Sequence, residues 1–267
     1  MTALRDRPLR LLGDRPLGFV VRNVAQPRNY VALVNMTRRY PHPLEAAQRY
    51  FRGRGSYPVQ FAVRTPTGTM HPTLWSYHDM ITLHEMFCRE DYAVPAAPPT
   101  VVDVGSNIGL SALYFLTRGP RVHCHLYEAV PRNVERLRQN LAPFQGRFEV
   151  QEVAVADFDG EAAFGVEETG RYGGLGVDLP DTTTVRCRHI NSVLEDVLAT
   201  AHRIDVLKID VEGHEAKLVA AIRPDLLARI ELIYAETVDV DIRTPAGFEA
   251  TEACDTLRLR NIALTRG

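Results

Sequence analysis

From residue 100 onward, apolar residues fall into short uninterrupted runs separated by amphipathic stretches. The β-branched run 101–104 has the pattern of a strand buried on both faces. Runs at 122–127, 148–155, 204–210 and 230–236 repeat it. Between them, 110–116, 130–141 and 214–222 carry helical patterns, and Pro131 suits a first helical turn. Ser192 and Glu195 have capping-box spacing, which predicts a short helix opening there. Segments 162–166 and 183–188 predict an antiparallel excursion around a glycine-rich stretch, 170–176, that contains Tyr172. A last helix is expected over 248–257 and a last short strand over 262–265. Strands alternating with helices imply an α/β fold with a doubly wound, mostly parallel sheet.

The first ninety-odd residues are different, rich in arginine, aromatics and proline and poor in clean periodicity. A short strand over 18–23 and a short helix over 43–51 are the weakest of the patterns. Segments 59–65 and 69–77 read as a hairpin around Pro66-Thr67-Gly68, and 78–89 as a helix. A stiff connector, Pro95-Ala96-Ala97-Pro98-Pro99, follows. We expect residues 1–95 to form a cap for substrate recognition and 96–267 the cofactor-binding domain, with the cap over the carboxyl ends of the core strands. Trp75, Tyr77, His78, His84 and Glu85 are its polar and aromatic candidates.

Composition narrows the function. A length of 267 residues fits one α/β domain with an appendage. The formal net charge of −2 argues against nucleic acid or an anionic membrane as partner. Only Lys208 and Lys217 are lysines among 31 basic residues, which reads as coding bias and not as a binding surface. Cys88, Cys124, Cys187 and Cys254 are scattered without a C-x-x-C, so reduced thiols, a cytoplasmic location and no cysteine-bound metal are expected. Residues 1–16 lack the apolar centre of a signal peptide, and no run approaches the ~20 apolar residues of a membrane span.

The candidate chemistry begins where the run 101–104 meets Gly105, Ser106, Asn107 and Gly109. Strand, glycine turn and helix together hold nucleotide-like ligands at the carboxyl end of a first strand. The pattern here is D-x-G-x-x-x-G. A dinucleotide fingerprint would need glycine at 107 and 110, where Asn107 and Leu110 stand, and no P-loop lysine follows. An acid inside the strand end suits a ligand with an amino group or positive charge, not a pyrophosphate. Glu128 stands 19 residues after Gly109 and closes the next strand-like run, the place from which an acid grips ribose hydroxyls. Asp103, Glu128, Asp210 and Glu236 each close a different buried run. Gly213 allows a sharp turn, so Asp210, Glu212 and His214 could face one pocket.

The stretch Val101-Val102-Asp103-Val104-Gly105-Ser106-Asn107-Ile108-Gly109-Leu110-Ser111, with Tyr127-Glu128-Ala129, Asn133, Asn140 and Lys208-Ile209-Asp210-Val211-Glu212-Gly213-His214-Glu215, resembles the FkbM family of S-adenosylmethionine-dependent methyltransferases. The likeness covers roughly 100–236, and its most specific element is the Lys208–Gly213 block. It implies a class I methyltransferase, a Rossmann-like doubly wound α/β fold, here with an N-terminal α/β cap region. It also implies S-adenosyl-L-methionine as cofactor and O-methylation of a sugar or polyketide hydroxyl in natural-product, including antibiotic, or glycan biosynthesis. Ser106 stands where the family usually has alanine, and the chain ends so soon after 265 that the fold's closing antiparallel hairpin is expected to be shortened.

Carried over, the resemblance sets Asp103, Gly105, Ser106, Asn107 and Gly109 around the methionine end of the cofactor, with Asp103 favouring its ammonium directly or through water. Ser111 would cap the following helix or touch the carboxylate, with capping preferred. Glu128 would take two ribose hydrogen bonds beside Ala129, Val153 and Ala154 would flank the adenine, and Asp210 would close the pocket. His214 is the first candidate for a base and Asp210 the second. Tyr77, His78, Glu85, Tyr172, Glu212 and Glu236 are the substrate-binding candidates, and Lys208 should close a strand-end ion pair. A divalent ion on Asp210, Glu212 and Glu236 is the less favoured alternative to a metal-free site. The rival functions are an NAD-dependent or nucleotide-sugar oxidoreductase and a non-catalytic cofactor-binding protein. A homo-oligomer built through the N-terminal region is the alternative to a monomer.

Overall fold

The computed structural model describes residues 27–53, 55–94, 96–166, 173–175, 181–237, 241–253 and 256–264. The chain divides into two compact units, Met1–Ala93 and Val94–Gly267. The expected strand over 18–23 and Tyr172 lie outside the described residues.

In the first unit, helices α1 (Pro27–Arg39) and α2 (Pro43–Arg52) precede four short strands, β1 (Val59–Gln60), β2 (Val63–Thr65), β3 (Gly68–Met70) and β4 (Thr73–Leu74). The expected hairpin is therefore broken in two: β2 pairs with β3 across the Pro-Thr-Gly turn, and β1 pairs separately with β4. Helix α3 (Tyr77–His84) opens on a capping box between Ser76 and Asp79 and widens into a π turn, Glu85–Arg89.

The second unit is organised on β5 (Thr100–Val104), α4 (Leu110–Leu116), β6 (His123–Glu128), α5 (Pro131–Asn140), β7 (Phe148–Glu152) and β8 (Ala154–Ala156). The order continues with β9 (Gly160–Val166), β10 (Gly173–Leu175), β11 (Asp181–His189), α6 (Ile190–Thr200), β12 (Ile204–Ile209) and α7 (Glu215–Ala221). It closes with α8 (Pro224–Leu227), β13 (Ile230–Glu236), β14 (Phe248–Ala253) and β15 (Thr256–Asn261). Seven strands form the main sheet in the order β14-β15-β13-β12-β5-β6-β7. Neighbours from β13 to β7 run parallel, while β15 is antiparallel to both β13 and β14. This is an α/β, class I methyltransferase-like architecture. All residues of β12 and of α4 are buried, so the glycine turn between β5 and α4 is anchored in the core on both sides. No helix among the described residues is long and apolar enough to cross a membrane.

Five expectations are corrected. Residues 248–257 are not a helix but the greater part of the β14–β15 hairpin, and that closing hairpin is not shortened. Ala250, Glu252 and Ala253 favour helix locally, yet Leu257 and Leu259 are buried on alternate positions of β15 against β13, and sheet pairing prevails. Residues 262–264 form a turn in place of a last strand. The run 148–155 splits at Val153: β7 joins the main sheet and β8 pairs in parallel with β11 in a second, four-stranded sheet. The capping-box spacing at Ser192 is fortuitous. Helix α6 is capped three residues earlier, by His189, whose Nδ1 accepts from the Asn191 N–H at 3.0 Å.

Candidate active site

The glycine turn is shaped by its neighbours. Gly105 has φ of 77°, and a Cβ there would lie 1.8 Å from the Asp210 carbonyl oxygen. Its lack of a side chain thus answers the approach of β12's end, in a left-handed conformation that side chains resist. Gly105 and Ser106 donate their N–H groups to the Tyr127 carbonyl, and Ser106 Oγ donates to the Asp103 carbonyl at 2.8 Å. Asn107 holds a positive φ of 47° and donates its N–H to Glu128 Oε2 at 2.8 Å. Gly109, with φ of 83°, is the N-cap of α4 and leaves that helix end without a side-chain cap.

Glu128 is buried at the end of β6. Its Oε1 accepts from the Val130 N–H at 2.9 Å and from Asn133 Nδ2 at 3.4 Å. Burial pushes its carboxyl pKa up, against the hydrogen bonds from Val130, Asn107 and Asn133. A carboxylate offers about four acceptor positions, so Oε2 keeps one beyond its bond to Asn107.

Asp103 is 0 % exposed, and its carboxylate is closed by Lys208 Nζ at 3.0 Å from Oδ1 and by Ser111 Oγ donating to Oδ2 at 2.6 Å. Ser111 is spent on that contact and does not cap α4. Lys208 also lies 3.2 Å from Asp210 Oδ2 and donates to the Gly105 carbonyl at 2.8 Å. Burial alone would lower the Lys208 pKa, but Asp103 and Asp210 outweigh it and the net shift is upward. The ion pair expected at Lys208 is thus a buried clasp joining β5, β12 and the glycine turn.

Beyond β12, the structure gathers Asp210, Glu215 and Glu236, with one carboxylate oxygen from each within 4.8 Å of the others. Sequence spacing groups Asp210 with Glu212 and His214 instead. Glu215 escapes that grouping, although an acid in a helix's first turn is itself a signal. It accepts from the Val211 and Gly213 N–H groups, both at 2.9 Å, and so fixes the loop. Glu212 takes a left-handed φ of 54°, and His214 carries a buried Nδ1 with no hydrogen-bond partner among the described residues.

Burial, then the charge and hydrogen bond of Asp210, then Glu212 and Glu215, push the Glu236 carboxyl up to about 9. A carboxyl that holds its proton more tightly folded than unfolded makes stability fall as pH rises from 4.5 towards 9. Glu236→Gln keeps a hydrogen bond without that proton. It is expected to stabilise the chain by about 1–3 kcal/mol at pH 8 and to change nothing near pH 4, read by urea denaturation at both pH values.

Of the remaining candidates, Ala129 is half-buried next to Glu128. Val153 and Ala154 are buried in two apolar clusters, Val153 with Val102, Val104 and Tyr127, and Ala154 with Val130 and Phe164. Tyr77, His78 and Glu85 belong to the first unit, where Tyr77 Oη donates to the Tyr50 carbonyl at 2.8 Å and Glu85 lies 3.4 Å from Arg89.

A family model described as the methyltransferase FkbM domain matches residues 103–253. Among curated proteins, the chain is 25 % identical over 228 residues to the AMB antimetabolite synthetase AmbE of Pseudomonas aeruginosa, covering 71 % of this chain and 10 % of that protein. It is 26 % identical over 161 residues to the 2-O-methyltransferase NoeI of Sinorhizobium fredii, covering 54 % and 65 %. It is 30 % identical over 192 residues to the 31-O-demethyl-FK506 methyltransferase FkbM of Streptomyces tacrolimicus, covering 58 % and 71 %. The chain therefore spans a tenth of the first relative and 65 % of the second. A solved FkbM methyltransferase of Methylobacillus flagellatus aligns with a TM-score of 0.45 at 12 % identity, covering 91 % of this chain and 60 % of that one.

Proposed function

The chain belongs to the FkbM methyltransferase family, and from that membership we propose that it methylates a hydroxyl oxygen of a sugar or polyketide-type small molecule, with S-adenosylmethionine as donor. The observation that carries this reading is the buried Glu128 carboxylate tied to the glycine turn at Asn107, where a nucleoside's hydroxyls would be recognised. When bound, the cofactor supplies an electrophilic methyl group on a positively charged sulfur.

The chain's residues do the rest by position and charge. Glu128 fixes the ribose from the end of β6, and Ala129 follows it along the same edge. Gly105, Ser106, Asn107 and Gly109 set the backbone of the turn, while Asp103 and Ser111 hold that turn from beneath through Lys208 and not by touching the ligand. Strand-end carboxylates favour a cation over a phosphate. The acceptor oxygen becomes a good nucleophile as its proton leaves, and the Asp210 carboxylate, 33 % exposed, receives it. Glu236 hydrogen-bonds Asp210 and orients it. A second reading, in which His214 takes the proton, is favoured by its unpartnered Nδ1. Tyr77, His78, Glu85, Tyr172 and Glu212 remain proposed acceptor contacts, residues 1–95 the proposed recognition region, and Val153 and Ala154 the proposed adenine neighbours.

Calorimetric titration with S-adenosylhomocysteine tests the cofactor assignment. The wild type should bind, and Glu128→Ala should bind roughly 10–100-fold more weakly, the worth of a lost charged hydrogen bond. A wild type that does not bind, or equal binding by the variant, overturns it. Comparing metabolites of cells with and without the protein then locates the acceptor, as a product lighter by one methyl group.

A further inference from the structure

Strand β6 carries His123 and His125 on one face, alternating with the buried Cys124 and Leu126. The parallel register of β7 sets Glu149 directly beside His125. His123 Nε2 lies 3.8 Å from Glu149 Oε1, and His125 Nδ1 lies 3.8 Å from Glu149 Oε2. The two rings are 5.0 Å apart, and one donor atom from each of the three residues falls within 4.8 Å of the others. The geometry points to a transition-metal site of the zinc class on this edge of the sheet, with His123, His125 and Glu149 as ligands.

Two imidazoles and one carboxylate are the donors of a four-coordinate zinc ion whose last position is open to water. Magnesium and calcium prefer all-oxygen sites and fit this set poorly. Ligand atoms around zinc are about 3.3 Å apart, given metal–ligand lengths near 2.05 Å. The present spacings close to that value by side-chain rotation, since the strands already hold the Cα atoms in register. Zinc binds the neutral imidazole, so its affinity for this set rises as the two rings lose their protons. Exposure rises across the set from 15 % for His125 to 36 % for His123 and 68 % for Glu149, which leaves an entry path from solvent. Arg188, on the same side of the sheet, is engaged by Gln151 at 2.9 Å and Asp196 at 2.7 Å and does not compete for Glu149.

His123 opens β6 and Glu128 ends it, so the site stands about 17 Å from the proposed cofactor pocket and is independent of it. Strand β7 is at the edge of the main sheet. An ion shared by β6 and β7 would staple that edge strand, a position otherwise open to pairing with other chains.

The test titrates the full-length, tag-free, metal-stripped chain with zinc by calorimetry and with cobalt by visible absorption. The expected result is one zinc equivalent, intense four-coordinate cobalt bands and a higher melting midpoint in zinc. His125→Ala and Glu149→Gln should each weaken binding about 100-fold and abolish the bands. Glu149 is exposed, so its variant keeps the fold even where a histidine variant does not. Zinc affinity unchanged in Glu149→Gln, or lost only in an Asp210→Asn, Glu236→Gln double variant, overturns the assignment, as does a wild type that binds no zinc.

Discussion

Lys208→Met is expected to remove about 3–5 kcal/mol of stability. The ammonium is 2 % exposed and answers three partners at once: the fully buried Asp103, Asp210 and the Gly105 carbonyl. Methionine fills much the same volume, so the core loses little packing. What it leaves is a carboxylate of 0 % exposure with only the Ser111 hydroxyl to replace the lost cation, and a charge so placed is far costlier than a lost surface pair. Urea denaturation followed by circular dichroism reads the effect. Lys217→Met, on the exposed face of α7, is the control and should stay within about 0.5 kcal/mol of wild type. Combining Lys208→Met with Asp103→Asn should recover part of the loss, because the stranded charge is then gone. Equal midpoints for the Lys208 and Lys217 variants would falsify the view that this clasp holds the glycine turn.

That clasp shows what local pattern reveals and what it conceals. Buried runs rich in Val and Ile, one of them leading into the glycine turn, announce the parallel sheet, because burial on both faces leaves no polar alternation to obscure the signal. The closing hairpin is hidden for the opposite reason. Residues 248–253 are helix formers by composition, and only their pairing with β15, itself paired to β13, makes them a strand. The strand-end acids stand where the alternation puts them, but their bonding partners lie far off in sequence. Asp103 meets a lysine 105 positions later, and Glu128 meets a backbone N–H 21 positions earlier. Such contacts depend on strand order and register, and spacing alone does not encode either. The same holds for His123, His125 and Glu149. In sequence they are ordinary members of two strands, and only the register sets them side by side.

Asp210→Asn is expected to lower the rate of methyl transfer by about 10²–10⁴-fold while leaving S-adenosylhomocysteine affinity within a few-fold of wild type. Asp210 is half-exposed at the end of β12 and closely joined to both Lys208 and Glu236. Glu215 does not share that position, because both its oxygens accept from the loop backbone. Asparagine preserves size and an acceptor for Lys208 but has no basicity, so the loss should fall on turnover and not on binding. The assay transfers labelled methyl from S-adenosylmethionine into a small-molecule extract of cells lacking the protein, and so works whatever the acceptor is. His214→Ala is run beside it. If that variant loses the rate and Asp210→Asn keeps it, the proton goes to the imidazole and Asp210 is only a partner of the clasp. If both lose it, added imidazole separates them: recovery of the rate in His214→Ala assigns the proton to the histidine, and no recovery leaves Asp210 as the base.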